Sequence, residues 1–513
     1  MNKAPFVKIT PLFLAGLISG NTYIIPFDFL IITSFFLINT FCFLKKGSRG
    51  LIWSLLVILQ LFLLGFFHVK SSEAYNKVPD SIIESNINLI TEVVEVKQTR
   101  KRNRVLLKVT EVSKQTSLSI EFNVLVYSSC NKLEDLKTGQ IIKLTNVHLQ
   151  RIEKQLYKGY QQWLKQKKVT NIIWEENCLL FELNSPNRTS FLQNQRERII
   201  HIIHQLYKIE NTRSIIEALI IGEKNNVNER LRTIYTKSGA IHILAISGLH
   251  VGLVFMIPFF LLKQITSKPI YHYSCSLLLV FLFVLLTGGG SSVRRAFFML
   301  MMFSTGKLFS KQTSIYNVLY FTALILVLVD YQVLFQIGFQ LSFLAVFGII
   351  SFQKRISNTF TIKNKVLDYI WKLNTVSIAA QLGTIGFSLF YFNTFALSFP
   401  ISSIVVIPLA PLILMLGFSS IALFPINLFT ADLLASLNNG IISFQNKILD
   451  WLSQIDWLYL ENLQLDKLEL LLYYIFFFWT IYTKKNQVLL KLLVGLIFML
   501  IFSVTEFFHL FSS

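Results

Sequence analysis

The chain has 513 residues, of which 53% are hydrophobic and 15% are charged. Soluble proteins carry about a quarter charged residues, so this composition excludes an ordinary soluble enzyme and indicates a membrane protein with several crossings. The formal net charge of +20 fits both the Lys and Arg excess of cytoplasmic loops and a polyanionic partner. The four cysteines show no spacing that is typical of a metal site.

Residues 1–68 contain three apolar runs, Pro11–Ile25, Phe27–Leu44 and Leu51–Phe67. We interpret the first run as a retained helix and not as a signal peptide, because no small-residue cleavage site follows it. The basic loop Lys45–Arg49 separates the second and third runs. The positive-inside rule therefore predicts a cytoplasmic N-terminus, and three crossings would bring the chain to the outside.

Residues 69–190 are predicted to form an extracytoplasmic β domain, because short apolar runs alternate there with polar residues. The strand-like segments are Ile87–Val96, Val105–Val112, Leu118–Tyr127, Gln140–Leu149 and Asn171–Phe181. A helix is predicted over Gln155–Lys167, between the fourth and fifth strands. Five strands and one helix in a domain of this size favour a small OB-like β-barrel, although the helix of that fold usually lies between strands three and four.

The loop between the first two strands is strongly basic, with Lys97, Arg100, Lys101, Arg102 and Arg104. In OB folds this loop often contacts single-stranded nucleic acid, and basic side chains neutralise phosphates. The alternative is a solvated hairpin tip. Cys130 and Cys178 also lie in this predicted outer domain, where disulfides persist, and we hypothesise that they pair. The alternative is two buried free thiols.

Residues 191–237 are predicted to form amphipathic, interfacial helices, since Arg196–His204 alternates charged and apolar residues at helical spacing. Residues 238–513 are predicted to form a bundle of membrane helices. The apolar segments are residues 240–262, 274–288, 293–309, 313–329, 335–352, 373–392, 398–424, 431–449, 467–483 and 488–507. Together with the N-terminal runs they predict a polytopic α-helical membrane protein with about 11–13 membrane segments.

The loop charges predict how this bundle is oriented. The segment count places in the cytoplasm the loops that carry Lys263, Lys268, Lys307, Lys311, Lys354, Arg355, Lys363, Lys365, Lys372, Lys484 and Lys485. The acidic and aromatic loop Asp450–Trp457 falls on the opposite side, where tryptophans can lie at the interface.

The segment Ser238–Gly252 opens the bundle and carries polar residues at membrane depth. In a regular helix Gly239, His242 and His250 would share one face, and Ser247–Gly248 would be a point of breakage. The residues support two interpretations equally, a polar conduit and a close helix contact through small residues. The candidate conduit-lining residues are Ser238, Gly239, His242, Ser247, Gly248 and His250, with Gln336 and Gln340 in a later segment. The two glutamines could instead form hydrogen bonds between helices.

Arg294 and Arg295 begin a predicted membrane helix on the outer side, against the usual charge bias. Guanidinium groups bind phosphate in a fork geometry, so a phosphate contact is one explanation. The alternative is that the two side chains reach lipid headgroups. The preceding Gly288–Gly290 is interpreted as a tight turn in preference to a phosphate-binding loop.

Three ordered motifs occur in this part of the chain, namely Ala218–Gly222 followed by Ser238–Gly239 and His242–Gly252, then Leu286–Gly288 with Ser291–Ala296, then Phe335–Ala345. Together they resemble the signature of the ComEC family, the bacterial competence proteins taken to form the inner-membrane channel for transforming DNA. With the N-terminal helices and the β domain, the resemblance covers most of the chain.

The resemblance implies that the chain passes single-stranded DNA across the bacterial inner membrane during transformation. It implies that the residues at His242, Ser247, Gly248 and His250 shape the conduit and that Arg294 and Arg295 contact phosphates. The expected partners are single-stranded DNA, membrane lipid, a DNA-receptor protein, a cytoplasmic translocase and a separate nuclease.

The chain departs from the family pattern at several places. Asp330–Tyr331 stands where the family often has Asp-Pro, and Phe399–Ser403 lacks the Asn that the family often has near this late proline motif. Many relatives end in a metallo-β-lactamase-like domain with a His-x-His-x-Asp-His motif. That motif does not occur in this sequence. We therefore expect a short form of the family and do not carry over the nuclease activity.

No nucleophile–base pair with an orienting acid, no metal cluster and no Walker lysine is visible in the sequence, so we expect neither an enzyme nor a cofactor. One alternative function is transport of a small anionic solute, which needs a polar lining but not the basic hairpin. A membrane-embedded hydrolase using Ser247 and His250 is less favoured, because no acid that could orient the histidine is visible nearby.

Overall fold

The computed structural model describes Thr10, Leu14, residues 87–97, 103–113, 117–118, 122–128, 139–151, 164, 169–175, 181–183, 191–224, 226–309, 314–463 and 465–482. The chain divides into two compact units, one with the sheet, up to Asn194, together with Leu324–Val333, and one with Gln195–Ala323 and the helices from Leu334 onward. Several predictions lie outside the described residues, namely the N-terminal membrane runs except Leu14, the helix Gln155–Lys167 except Leu164, residues 488–507, Arg100, Lys101, Arg102, Cys130 and Cys178.

The first unit contains a mixed β-sheet. Its strands are β1 (Ile87–Lys97), β2 (Asn103–Ser113), β3 (Ser117–Leu118), β4 (Phe122–Ser128), β5 (Ile141–Val147), β6 (Gln150–Arg151), β7 (Val169–Glu175) and β8 (Phe181–Leu183). They are ordered β6-β7-β4-β2-β1-β5-β8, with β3 paired to β2. The five predicted strands are confirmed, because β1, β2, β4, β5 and β7 lie within or over the predicted segments.

The sheet is buried on both faces, which follows from the side-chain alternation of its central strands. Val105 and Leu107 of β2 belong to one core, whereas Leu106 between them belongs to a second core with Leu125 and Leu164. The predicted closed OB barrel is not confirmed. The parallel pairing of β7 with β4 extends one edge, β8 extends the other, and no pairing in the described residues joins these edges.

Three helices follow the sheet in the chain, α1 (Phe191–Leu206), α2 (Glu210–Ile220) and α3 (Glu229–Lys237). Asn228 caps α3 by accepting the backbone N–H of Leu231 at 2.7 Å. These helices contribute to one apolar core with Val406, Ile413 and Ile442 of later helices. Most of α2 is buried, so this segment packs inside the helical unit along much of its length.

The described residues contain nine further helices, α4 (Gly248–Ile265), α5 (Pro269–Leu286), α6 (Ser291–Leu308), α7 (Ile315–Val329), α8 (Ile337–Ser357), α9 (Lys365–Phe392), α10 (Phe399–Leu423), α11 (Leu428–Ser453) and α12 (Lys467–Tyr482). They match the first nine predicted apolar segments. Among the described residues, five helices are long and apolar enough to cross a membrane, namely α4, α5, α8, α9 and α10. The prediction of 11–13 segments also depends on residues outside the described ranges and stays a prediction.

The helices α8 and α9 cross at unusually short range because both present glycine at the contact. A Cβ added at Gly348 would overlap the carbonyl oxygen of Ala379, and one added at Gly383 would overlap that of Leu344. On another side of α9, the hydroxyl of Tyr474 in α12 donates to the carbonyl of Gly383 at 3.0 Å. Small residues that let backbones approach are typical of membrane helix pairs.

Candidate anion-binding site

The segment Ser238–Gly252 does not form one regular helix, so the shared face that a regular helix would give Gly239, His242 and His250 is not present. The chain leaves α3, forms a short 3₁₀ turn at Ile241–Ile243 and enters α4 only at Gly248. Ser247 has the extended conformation of a helix N-cap, with φ −103° and ψ 172°. The predicted break at Ser247–Gly248 is therefore confirmed as a helix boundary.

Gly239 ends α3 and explains why the helix cannot continue. Its φ is +76°, a left-handed conformation that favours glycine. The N–H of Gly239 bonds to the carbonyl of Thr236 at 3.0 Å, and the N–H of Ala240 bonds to that of Tyr235 at 2.8 Å. This pair of bonds is a Schellman motif. A Cβ at Gly239 would also lie 3.1 Å from the Cβ of Phe399, so the turn packs closely against the start of α10.

The two histidines of the segment occupy different environments. His250 is buried, and its Nδ1 accepts the backbone N–H of Ser247 at 2.9 Å, as the third residue of a capping box does. His242 is exposed, and its Nδ1 lies 3.2 Å from the carbonyl oxygen of Gly239, to which it must donate. Both rings therefore satisfy backbone groups at turns.

The sequence motifs meet where the helices α4, α6 and α8 begin. A Cβ added at Gly222 would lie 3.2 Å from the carbonyl oxygen of Thr287, one at Gly248 would lie 4.0 Å from the Cβ of Ala296, and one at Gly338 would lie 3.5 Å from the Oγ of Ser291. The glycines thus bring three helix starts together. Because backbone N–H groups at a helix start carry partial positive charge, this arrangement favours an anion.

The Gly288–Gly290 run is a tight turn, as predicted. Gly288 and Gly289 have φ of +71° and +61°. The N–H of Gly289 bonds to the carbonyl of Val284 at 2.8 Å, which closes a second Schellman motif at the end of α5. Gly290 is the N-cap of α6 and supplies no side-chain cap, and apart from Gly290 and its chain neighbours no residue comes within 4 Å of a Cβ built on it. The start of α6 is therefore open to a ligand.

Arg294 and Arg295 lie in the first turns of α6. Arg295 is only 3% exposed, yet its Nε and Nη1 form no hydrogen bond with any residue that the structure describes. The enclosed Nε of Arg294 also has no such partner, and the ion pairs among the described residues include neither arginine. A buried cation without a partner is costly, so the site favours an anion that would supply the missing acceptors.

The other predicted site residues lie at the start of α8 or form hydrogen bonds with backbone groups. Ser238 is fully buried, and its hydroxyl donates to the carbonyl of Tyr235 at 3.3 Å. Gln336 precedes α8 as its N-cap. Gln340 donates to the carbonyl of Leu334 at 3.1 Å and accepts from the Tyr391 hydroxyl at 3.0 Å. Whether these residues line a passage stays a prediction.

The basic hairpin is described only at its base, where Lys97 of β1 pairs with Arg104 of β2. Its role in binding stays a prediction. Within the described ranges, no group of three or more His, Cys, Asp or Glu residues is placed to hold a metal ion. The sequence did not single out Arg196, whose guanidinium lies beside Gly288, because its position in an amphipathic helix gave no signal beyond surface charge.

The family model described as Competence protein matches residues 219–487 of the chain. The ComE operon protein 3 of Bacillus subtilis (strain 168) is 27% identical over 267 residues, which are 51% of this chain and 32% of that protein. An uncharacterized protein of Aquifex aeolicus (strain VF5) is 38% identical over 66 residues, 13% of this chain and 16% of that protein. The chain thus spans less than a third of the length of these curated relatives, and no solved structure matches it.

Proposed function

The chain belongs to the Competence protein family, and we propose that it passes single-stranded DNA across the bacterial inner membrane during natural transformation. The family match covers the starts of α4, α6 and α8, where the candidate anion-binding site lies. The proposal places a phosphate of the strand at the start of α6. Proteins of this family are typically channels, and we assign no catalytic role to this chain.

One observation carries the proposal, namely the buried and unpartnered guanidinium of Arg295 beside Arg294 at an uncapped helix start. A phosphodiester fits this site because its oxygens accept bonds both from guanidinium groups and from backbone N–H groups. A polyanion would meet such a cationic site repeatedly as it moves. The predicted hairpin cations Lys97 to Arg104 would capture the strand outside, and the turn residues of Ser238–Gly252 would shape the entrance.

The five long apolar helices and the family fit a membrane protein. We propose that the start of α6 faces outward and the N-terminus faces the cytoplasm. Lys263, Lys307 and Lys354 lie in the last turns of α4, α6 and α8, at the ends opposite the site. The positive-inside rule places those ends in the cytoplasm. Counting the apolar runs outside the described residues, the protein would have about 11–13 segments.

The geometry does not favour a hydrolase based on Ser247 and His250. The Nδ1 lone pair of His250 accepts the backbone N–H of Ser247, so Nδ1 is not available as the base for the Ser247 hydroxyl. Transport of a small anionic solute would use the same cationic site. The two functions differ in the length of ligand that binds, which the experiment below measures. A DNA receptor, a cytoplasmic translocase and a separate nuclease are proposed partners.

The experiment compares the wild-type chain with a variant that carries Arg294→Gln and Arg295→Gln. The matched control carries Arg198→Gln and Arg230→Gln, which remove the same charge from exposed positions. In a competent host, the site variant should lose transformation and the control should keep it. With purified protein, the logarithm of the binding constant for an oligothymidylate is plotted against the logarithm of the salt concentration. The negative slope of this plot should become shallower by about 0.7 for each lost phosphate contact.

Two outcomes would contradict the proposal. If the site variant and the control transform equally well, Arg294 and Arg295 do not contact the strand. If inorganic phosphate binds as tightly as the oligothymidylate and competes with it at equal concentration, the site takes a small anion. Deleting the whole gene should abolish uptake in the same assay.

A further inference from the structure

We infer that Arg196 is a third phosphate-contacting residue of this site and that Glu223 holds it while no DNA is bound. The inference rests on the proposed function and extends it, because Arg196 lies upstream of the residues that the family model matches. It also assigns a role to Glu223, as a counter-ion that competes with the DNA.

The position of Arg196 carries the inference. Arg196 belongs to α1, and its Nη1 would lie 3.7 Å from a Cβ built on Gly288. At the next glycine of the turn, a Cβ built on Gly289 would lie 3.9 Å from the Cδ of Arg294. Arg196 and Arg294 therefore border neighbouring residues of one turn, and that turn leads directly into the open start of α6.

The ion pair of Arg196 explains how the residue can change partner. Its Nη2 lies 3.0 Å from Oε2 of Glu223, and the two side chains are 30% and 26% exposed. A partly exposed pair of this kind gains little net stability, so exchanging one acceptor for another costs little. A phosphate offers the guanidinium a second, bidentate acceptor at the same place.

The charges at the site show what Glu223 does. Arg294 and Arg295 have no carboxylate partner among the described ion pairs, whereas Arg196 has Glu223. With Glu223 engaged, the site presents two uncompensated cations, and with Arg196 transferred to the ligand it presents three. Glu223 thus lowers the affinity for a polyanion, which helps a strand to leave each contact as it moves forward.

The experiment measures oligothymidylate binding to the full-length purified protein as a function of salt. Arg196→Gln should weaken binding roughly tenfold, as expected for one charge-assisted hydrogen bond. Glu223→Gln should strengthen binding, because Arg196 then has no competing carboxylate. Arg198→Gln and Glu197→Gln are the matched controls, since both change the same charges at exposed positions of α1, and both should bind within about twofold of wild type.

A double variant separates binding from structure. Arg196→Gln with Glu223→Gln keeps the net charge of wild type and removes the ion pair from both sides. If Arg196 only holds α1 in place, this variant should bind like wild type once it is folded, as checked by its melting temperature. If Arg196 contacts phosphate, the double variant should bind about tenfold more weakly, with a shallower salt slope.

The outcomes distinguish this inference from the proposed function. Weak binding by the Arg294 and Arg295 variant, together with wild-type binding by Arg196→Gln, overturns the inference and leaves the proposed function standing. Unchanged binding by all of these variants overturns both. Weaker binding by Glu223→Gln would show that Glu223 supports the site and does not compete with DNA.

Discussion

Arg295 combines two properties that rarely occur together at the scale of a single residue. It is buried, and its Nε and Nη1 lack partners among the described residues. An arginine that stabilised the empty fold would have its donors satisfied. We therefore interpret Arg295 as a residue that destabilises the protein without a ligand. A bound anion would offset this destabilisation by accepting hydrogen bonds from the guanidinium.

Arg295→Met tests this interpretation. The substitution replaces an unpaired buried cation with an apolar side chain of similar length, so the free energy of unfolding should rise by about 1–4 kcal/mol. The melting temperature of the purified protein should rise, and its affinity for an oligothymidylate should fall. Arg198→Met, at an exposed position, should change neither by much. A lower melting temperature for Arg295→Met would mean that Arg295 is part of the structural core.

The sequence predicted that Arg294 and Arg295 open a helix on one side of the bundle, because charge and apolar periodicity show this directly. It could not predict that Arg295 is buried and unpaired, since this depends on which helices surround α6. It also could not predict that His250 caps α4. The pattern Ser247-x-x-His250 has the spacing of a capping box, but that motif usually carries Glu or Gln at the last position.

At the scale of elements, the boundary between α3 and α4 shows that hydropathy alone does not predict where a helix begins. The apolar segment was predicted to begin at residue 240, because its hydropathy is continuous, whereas α4 begins at Gly248. Gly239 follows Lys237 and Ser238 at the end of an amphipathic stretch, which is a typical helix C-terminus. Local turn chemistry therefore overrode the hydropathy pattern. The strands were predicted well because the two-residue alternation is direct, whereas barrel closure depends on long-range pairing.

The glycine contact between α8 and α9 gives a prediction at this scale. In Gly383→Ala the new Cβ would overlap the carbonyl oxygen of Leu344, and a backbone atom cannot yield as a flexible side chain does. The substitution should lower the free energy of unfolding by about 1–3 kcal/mol. Thermal unfolding in detergent measures the change.

Gly440→Ala is the matched control, because Gly440 lies inside α11 and, apart from the surrounding backbone of that helix, no heavy atom comes within 4 Å of a Cβ built there. This variant should be more stable than wild type by up to about 1 kcal/mol, since alanine favours the helix. If Gly383→Ala and Gly440→Ala shift the melting temperature in the same direction, the close approach of α8 and α9 does not limit stability.

At the scale of the whole molecule, the alternating direction of successive helices explains why the motifs meet. The helices α4 to α8 are joined by short connections, so every second helix begins at the same end of the bundle. Motifs that are far apart in sequence therefore come together at Gly248, Ser291 and Gly338. Sequence order and loop charge could predict this common side. The sequence could not predict the distances, which depend on how closely glycines let the helices approach.

The proposed orientation places this common side outside the cell, and cysteine labelling tests it. Gly290→Cys introduces a thiol at the open start of α6, where a Cβ meets no residue within 4 Å apart from its chain neighbours. Ser267→Cys introduces one in the exposed turn between α4 and α5, beside Lys268. Both variants are made in a background in which Cys42, Cys130, Cys178 and Cys275 are replaced by Ser.

An impermeant maleimide added to intact cells should label Gly290→Cys and should reach Ser267→Cys only after the membrane is opened, because the positive-inside rule puts Lys263 and Lys268 in the cytoplasm. The reverse labelling pattern would mean that the protein has the opposite orientation in the membrane, with Arg294 and Arg295 on the cytoplasmic side. With purified protein, an oligothymidylate should slow the labelling of Gly290→Cys and leave that of Ser267→Cys unchanged. Slower labelling at both positions would instead indicate binding that is not confined to the start of α6.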